Sequence, residues 1–498
     1  MRMKQTMTTV SRTLLVLIIG TAILLPSGVA AASPPNIILI AADDMGFGYF
    51  AENQDLIDEN PLSAELVRRD KGEYSEDQAR QFMLTATPTL STLSQEGVRF
   101  TNAYVPSPLC GPSRAALMTA RYPQRYGIYN NVDAHMGVNT GERFLVENLQ
   151  LAGYATAMIG KWHLSKDGDV AGNQDGYHPL QRGFDHYFGF NRSGTLYYDS
   201  KILYRNYEKV DAEGYLTDQF TGEAVSLIEN QGDEPLFIYL AYNAVHGPLR
   251  DPAPEVYSSR FKTDNSRLNI FYSYLYALDQ GVNSILEALK KTGRIDNTLI
   301  MFVSDNGSPG GKPFPLPGNS PFRGYKGQIW QGGTRIPMMA WWPGKIEGGQ
   351  VSKALVTSMD LLPSALAAGG VELPDDLDGA SLFPLLGGKQ DSLRDQVFWA
   401  GQLAQNWGLQ KGGGKLDDKG SAPPAWAVRS GPWMLRYWSH ADSVELYDMR
   451  SDLPEQANMA SQHPNVVKKL TADYRQWFST LEEPQAWDRV LWQQLKAE

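Results

Sequence analysis

One cysteine in 498 residues excludes any intramolecular disulfide. The chain also lacks an excess of positive charge. Its 45 Lys and Arg face 55 Asp and Glu, a formal net charge of −10. That balance argues against nucleic acid as a partner and gives no general attraction to polyanions, so any anionic ligand needs a locally basic site. A membrane-spanning run is missing too. The apolar stretch 14–25 is too short to span comfortably. Arg2, Lys4 and Arg12 precede it and Val29-Ala30-Ala31-Ala32 follow, the layout of a secretory signal peptide over residues 1–32. No Cys lies in that segment, which excludes a lipid-modified N-terminus. The expectation is an exported chain, periplasmic or secreted, starting near Ser33 and without a span in its mature form. The remainder, 42% hydrophobic and 20% charged, has an ordinary globular composition.

The single Cys lies in Leu109-Cys110-Gly111-Pro112-Ser113-Arg114. A free Cys is ordinarily a small buried hydrophobe. Here Pro112 rigidifies a turn, Ser113 is suited to an N-cap, and Ala115-Ala116-Leu117-Met118 reads as the first helical turns. Cys110 is thus expected just ahead of a helix N-terminus, where backbone N–H groups and the helix dipole favour an anion.

Four short apolar runs read as buried parallel strands: 36–40, 155–159, 236–241 and 298–303. They end in Asp43-Asp44, Lys161-Trp162-His163, Asn243-Ala244-Val245-His246 and Asp305-Asn306 respectively. Helical patterns lie between them at 147–152, 222–230 and, most clearly, 268–291. Alternating strands and helices give a doubly wound α/β sandwich, in which ligands bind at the carboxyl ends of the strands. The oxygen donors Asp43, Asp44, Asp305 and Asn306 suit a hard cation, Ca²⁺ or Mg²⁺, and the absence of Cys or His from that set disfavours zinc. Taken alone, Asp-Asp before Gly is more often a turn. Arg114, Lys161, His163, His246 and Lys326 form a cationic set, each with an ordinary structural reading when considered singly.

The order of these motifs resembles that of the formylglycine-dependent sulfatases of the alkaline-phosphatase-like superfamily, with a bacterial polysaccharide sulfatase as the expected type. Cys110-Gly-Pro-Ser-Arg114 resembles the motif whose Cys is oxidised to an aldehyde, and Leu117-Met-Thr-Ala-Arg-Tyr-Pro123 resembles its extension. Gly160-Lys161-Trp-His163 resembles the family's paired Lys and His, and Asn243-Ala-Val-His246-Gly-Pro its leaving-group His. Tyr325-Lys326-Gly-Gln-Ile-Trp-Gln-Gly-Gly-Thr-Arg-Ile-Pro337 resembles its second sulfate-binding Lys, with Gln331 where an acidic residue is common. The resemblance implies calcium ligands Asp43, Asp44, Asp305 and Asn306, joined by residue 110. It implies a nucleophile made by converting Cys110 to formylglycine, which requires a maturation enzyme as partner. It further implies sulfate contacts from Arg114, Lys161 and Lys326, a leaving-group acid at His246, and a base at His163. His135, His178, Arg192, Lys312 and Arg323 are candidate substrate-binding residues.

The expected organisation is a catalytic α/β domain over 33–370, with a polar helical insertion at about 50–87, carrying a Ser75-x-x-Gln78 capping box, that reads as a solvated surface feature or a cleft wall. A smaller α+β subdomain with a short antiparallel sheet is expected over 371–498, with strands near 397–400, 427–430, 433–438 and 443–447 and a helix over 464–481. Eight of the 12 Trp follow residue 398, and Trp407 and Trp426 are candidates for stacking on sugar rings. The expected substrate is a sulfated polysaccharide or oligosaccharide. Alternatives are a small aryl sulfate or an unconverted carbohydrate-binding pseudoenzyme; phosphodiester or phosphonate hydrolysis fits the donor set less well.

Overall fold

The computed structural model describes residues 33–60, 74–166, 176–211, 213–310, 314–388, 390–403, 424–438 and 442–486. The signal-peptide reading of residues 1–32, Lys312 and Trp407 fall outside these.

Sixteen strands are present among the described residues: β1 (Asn36–Ala42), β2 (Val98–Phe100), β3 (Ala103–Tyr104), β4 (Ala155–Lys161), β5 (His186–Phe190), β6 (Leu203–Arg205), β7 (Glu208–Val210), β8 (Leu236–Ala241), β9 (Thr298–Ser304), β10 (Met338–Trp341), β11 (Gln350–Ser352), β12 (Val356–Thr357), β13 (Gln396–Leu403), β14 (Pro424–Ser430), β15 (Trp433–Trp438) and β16 (Ser443–Asp448). Ten of them form one sheet in the order β11-β2-β10-β9-β1-β8-β4-β5-β6-β7. The four strands expected from sequence are adjacent at its centre, mutually parallel in the order β9-β1-β8-β4. Antiparallel β10 and the β6–β7 pair flank the parallel block. This is an alkaline-phosphatase-like sandwich, with a separate antiparallel sheet β13-β14-β15-β16 towards the C-terminus.

Alternation along β1 explains the layers. Ile38, Ile40 and Ala42 face the core made with helices Leu216–Asn230 and Ser266–Lys291, while Ile37, Leu39 and Ala41 face the other, made with helices Cys110–Thr119 and Leu361–Ala368. Both faces are covered, which is why the central strands are largely apolar along their length, with Thr156 of β4 spent on Gly183 O and Asp185. Burial of each such Ile or Leu contributes about 1.5–3 kcal/mol.

The insertion is not simply solvated. Helix Glu76–Ala86 begins with the capping box read from sequence, Ser75 Oγ accepting from Gln78 N at 3.1 Å and Gln78 Oε1 from Ser75 N at 3.2 Å. It buries Ala79, Met83 and Ala86 in the core against Ser266–Lys291, and Tyr272 Oη donates to Ala79 O at 3.0 Å. In the C-terminal sheet Trp426 is 9% exposed and stacks on Tyr474 of helix Pro464–Phe478 at 4.1 Å. That makes it a core residue rather than a sugar platform. No described helix is long and apolar enough to cross a membrane.

Helix Pro88–Gln95 has no side-chain cap from its own N-cap residue, Thr87. Asp279 supplies one from the middle of Ser266–Lys291, its two carboxylate oxygens accepting from Thr89 N at 3.0 Å and Leu90 N at 2.9 Å. Asp279→Ala leaves both N–H groups buried without an acceptor and is expected to lower the unfolding free energy by about 1–3 kcal/mol in urea titration. A loss below about 0.5 kcal/mol would mean that the cap is not stabilising.

Candidate active site

The carboxyl ends of β1, β8 and β9 are laced together by backbone bonds before any side chain is considered, and β4 pairs with β8 as far as Gly160. Asp305 N donates to Ala42 O at 3.0 Å, Asp43 N to Ala244 O at 2.9 Å, and Val245 N to Asp43 O at 2.7 Å. Asp43 and Asp44 at the end of β1, Lys161 and His163 from β4, His246 after β8, and Asp305 and Asn306 after β9 are thereby held along one edge. Asp44 and His163 both adopt φ of +63°, a left-handed conformation that non-glycine residues occupy only when their surroundings enforce it.

Helix Cys110–Thr119 enters this edge from one face. The helix starts at Cys110 itself, after Leu109, which makes no side-chain cap bond. Ser113 is therefore inside the first turn, its N–H donating to Leu109 O at 3.0 Å, and not the N-cap expected from sequence. Pro112 fits because a first-turn residue needs no intrahelical N–H bond. One turn on, Arg114 is fully buried. Its Nε and Nη2 lie 2.9 and 2.8 Å from Asp305 Oδ2, and its Nη1 donates to Lys161 O at 2.6 Å. Lys161 Nζ donates to Asp43 Oδ2 at 2.6 Å, and Lys326 Nζ lies 2.5 Å from Asp44 Oδ1. Lys326 arrives on the loop after β9, its N–H bonded to Ser308 O at 3.0 Å.

Three buried carboxylates therefore face three buried cations. Burial pushes the Asp43 carboxyl up, but Lys161 and, to a lesser degree, His246 and Arg114 outweigh it and hold the group below its ordinary range. Burial lowers Lys326, yet the surrounding carboxylates and the Cys110 side chain carry it above the usual lysine value. Burial first, then Lys161 and His135, drive His163 well below 6.5. Burial also lowers His246, although Asp43 and Asp44 oppose it.

Two oxygens are left over. Asp43 Oδ1 and Asn306 Oδ1 are buried and have no hydrogen-bond partner among the described residues. The Asn306 amide nitrogen is spent on Asp44 Oδ1 at 2.7 Å and Gly307 O at 2.9 Å, which turns Oδ1 the other way. Buried acceptors without donors fit a bound cation. Ligand atoms of Asp43, Asp44 and His246 lie within 4.8 Å of one another, a buried cluster of the kind that can hold a metal ion. Asp305 Oδ1 accepts from Asp44 N at 3.2 Å beside it. The oxygen set expected from sequence contains no imidazole; in the structure His246 Nε2 lies at its edge, 3.7 Å from Asp44 Oδ2. The Cys110 thiol sits at the helix start, 3.7 Å from Asn131 Nδ2. Asn131 had no motif signal in the sequence.

The candidate substrate-binding residues separate. His135 joins the site, its Nε2 3.1 Å from His163 Nε2. Arg192 is exposed on the segment after β5. Two residues on, a Cβ at Gly194 would stand 3.0 Å from His246 Cε1. Arg323 is exposed, with its guanidinium 3.9 Å over the Trp330 ring. His178 is committed to the backbone. It is 1% exposed, with Nδ1 accepting from Leu180 N at 3.2 Å and Nε2 3.1 Å from Asn206 O. Burial takes it down to about 4, so it acts as a neutral cap for the turn Pro179–Gln181. Gln331 is satisfied as an amide, accepting from Tyr104 Oη and Arg335 Nη1, both at 2.9 Å, and donating to Leu453 O at 2.7 Å.

Residues 35–371 match the family model described as Sulfatase, and residues 325–480 match N-sulphoglucosamine sulphohydrolase, C-terminal. The chain is 37% identical over 499 residues to the Escherichia coli (strain K12) protein described as "Uncharacterized sulfatase YdeN", covering 92% of this chain and 88% of that one. It is 34% identical over 388 residues to the Homo sapiens N-acetylgalactosamine-6-sulfatase, covering 72% and 66%. The crystal structure of Ps i-CgsB in complex with k-i-k-neocarrahexaose is similar with a TM-score of 0.74 and 28% identity, covering 93% of this chain and 98% of that one. With a family model over most of its length and a relative 37% identical over 92% of it, the chain belongs to the sulfatase family and is a hydrolase of sulfate esters.

Proposed function

We propose that this protein is an exported sulfatase acting on a sulfated polysaccharide or oligosaccharide, with Cys110 converted to formylglycine by a maturation enzyme. The observation that carries the substrate class is the likeness, over nearly the whole of both chains, to a structure holding an oligosaccharide. N-acetylgalactosamine-6-sulfatases among the relatives point the same way.

Asp43, Asp44, Asp305 and Asn306 would hold the cation. Two orphaned oxygens and three carboxylates make an oxygen-rich set suited to Ca²⁺, with Mg²⁺ as the second choice. When bound, the cation supplies positive charge for the sulfuryl oxygens, and an aldehyde hydrate at residue 110 supplies the attacking hydroxyl. The chain's own groups do the rest. Lys161, Lys326 and Arg114 are buried, fixed by carboxylates and already oriented, so they stabilise added charge without reorganising. His246 is 21% exposed at its side chain, at the open side of the cluster. Its Nδ1 lies 2.5 Å from Gly247 O, an arrangement in which Nδ1–H donates to the carbonyl and Nε2 is left to protonate a leaving alkoxide. His163, kept neutral by burial and its cationic neighbours, is suited to take a proton from the second hydroxyl at residue 110. The net reaction consumes one water and yields the alcohol and sulfate.

Cys110→Ala is expected to abolish sulfate release while leaving the fold intact. Activity within about tenfold of the wild type would overturn the nucleophile assignment. Exhaustive chelation is expected to lower both the rate and the melting temperature, with Ca²⁺ or Mg²⁺ restoring both. Unchanged values after complete demetallation would refute the cation site.

His246→Ala separates mechanism from substrate class. A sugar alkoxide leaves poorly without a proton, whereas a nitrophenolate leaves nearly unaided. The variant is therefore expected to lose about 10²–10⁴ in kcat on a sugar sulfate and far less on an activated aryl sulfate. Equal losses on both would remove His246 from the leaving-group role. A wild type that releases sulfate only from the aryl ester would favour a small-molecule arylsulfatase.

A further inference from the structure

A six-residue turn braces both the nucleophile position and its base, and no motif in the sequence marked it as a unit. The turn is locked at its start. Asn130 Oδ1 accepts from Val132 N at 2.8 Å and Asp133 N at 3.1 Å, while Asp133 Oδ2 accepts from Tyr129 N at 3.0 Å and Asn130 N at 3.2 Å. The C-terminal segment fastens it from outside, Ala486 N donating to Asp133 Oδ1 at 2.8 Å. From this platform Asn131 Oδ1 accepts from Gly111 N at 3.0 Å. The approach is close enough that a Cβ on Gly111 would stand 2.6 Å from Ala134 Cβ and 3.0 Å from Asn131 Oδ1, so the position after Cys110 has to be glycine. The same Cβ position is 3.7 Å from His163 Cε1, which puts the nitrogen-bearing edge of that ring beside the first turn of the helix.

At the end of the turn the two imidazoles meet Nε2 to Nε2 at 3.1 Å. One nitrogen must donate and the other accept. If His135 donated, neutral His163 would carry its proton on Nδ1, which is buried and has no partner among the described residues. If His163 donates, its Nδ1 carries no hydrogen and no buried N–H is orphaned. His135, accepting at Nε2, then carries a proton on Nδ1.

We propose that His135 is a positioning residue that accepts the Nε2–H of His163, thereby leaving the Nδ1 lone pair as the proton acceptor beside residue 110. This rests on the reading of His163 as the base. A ring whose tautomer is fixed by a neighbour keeps the correct nitrogen bare in every turnover; an unfixed ring spends part of its time with the proton on the wrong one.

The first test needs no activity. In ¹⁵N imidazole spectra of the unconverted Cys110 enzyme, His163 is expected to be neutral with its proton on Nε2. His135→Leu, which offers no acceptor, is expected to lose that tautomer, and His135→Gln, whose carbonyl oxygen can accept, to keep it. A proton on Nδ1 in the wild type, or an unchanged tautomer in His135→Leu, overturns the proposal. In converted enzyme, His135→Leu is expected to lower kcat by about 10- to 100-fold, equally on sugar and aryl sulfates, with sulfated enzyme accumulating in intact-mass spectra and His135→Gln recovering most of the rate. A loss in KM alone, or one that Gln does not rescue, speaks for a substrate contact or plain packing instead. The expected spectra in a protein that releases no sulfate would support the positioning role and refute the sulfatase mechanism, so the two failures are distinct.

Discussion

Mutual compensation of buried charge at one edge of the sheet is the constraint on which the rest depends. Asp43, Asp44 and Asp305 are each 4% exposed or less, as are Arg114, Lys161 and Lys326. Removing an ion from water costs several kcal/mol after relaxation, so neither the acidic nor the basic half is tenable alone. The ion pairs join residues far apart in the chain: Lys161 with Asp43, Arg114 with Asp305, Lys326 with Asp44. The parallel order β9-β1-β8-β4 brings the three carboxylates and Lys161 together because each strand delivers its polar end residues at the same edge, where helix Cys110–Thr119 adds Arg114 and the loop after β9 adds Lys326. A site rich in fixed cations then coexists with a net charge of −10, since the protein concentrates positive charge where an anion reacts and not over its surface.

The C-terminal sheet contributes to this site by holding a loop. Lys326 sits on a segment that the β13–β16 region grips from outside. Arg436 and Glu455, both fully buried, form an ion pair, and Arg436 also donates to Ile329 O. Glu455 Oε2 accepts from Gln331 N at 3.3 Å, and Trp330 packs on Trp438 with ring centroids 5.0 Å apart. Trp438 serves this contact, and Trp426 packs on helix Pro464–Phe478 through Tyr474, which accounts for its core position. An amide at 331 where an acid is common keeps the loop in place through Leu453 O, Tyr104 and Arg335.

By itself the sequence determined the features written in local periodicity and in short motifs. Short, largely apolar runs marked the four central strands, and each proved adjacent to the next. The 3.6-residue repeat marked Ser266–Lys291, and Ser75 with Gln78 marked a helix start. The motif order around Cys110, Lys161, His246 and Lys326 marked the family. Tertiary structure alone decided what depends on neighbours remote in the chain. The two- and three-residue strands β2, β3, β6, β7, β11 and β12 carry too few residues to show a period. Whether a helix begins at Cys110 or Ser113 turns on packing, because Ser113 has capping chemistry but no free N–H group to cap. His178 and His135 read alike as isolated histidines, yet one closes on backbone at Asn206 and the other on the imidazole of His163. Single-residue signals do not carry that difference, because a side chain's partner is set by the fold that surrounds it.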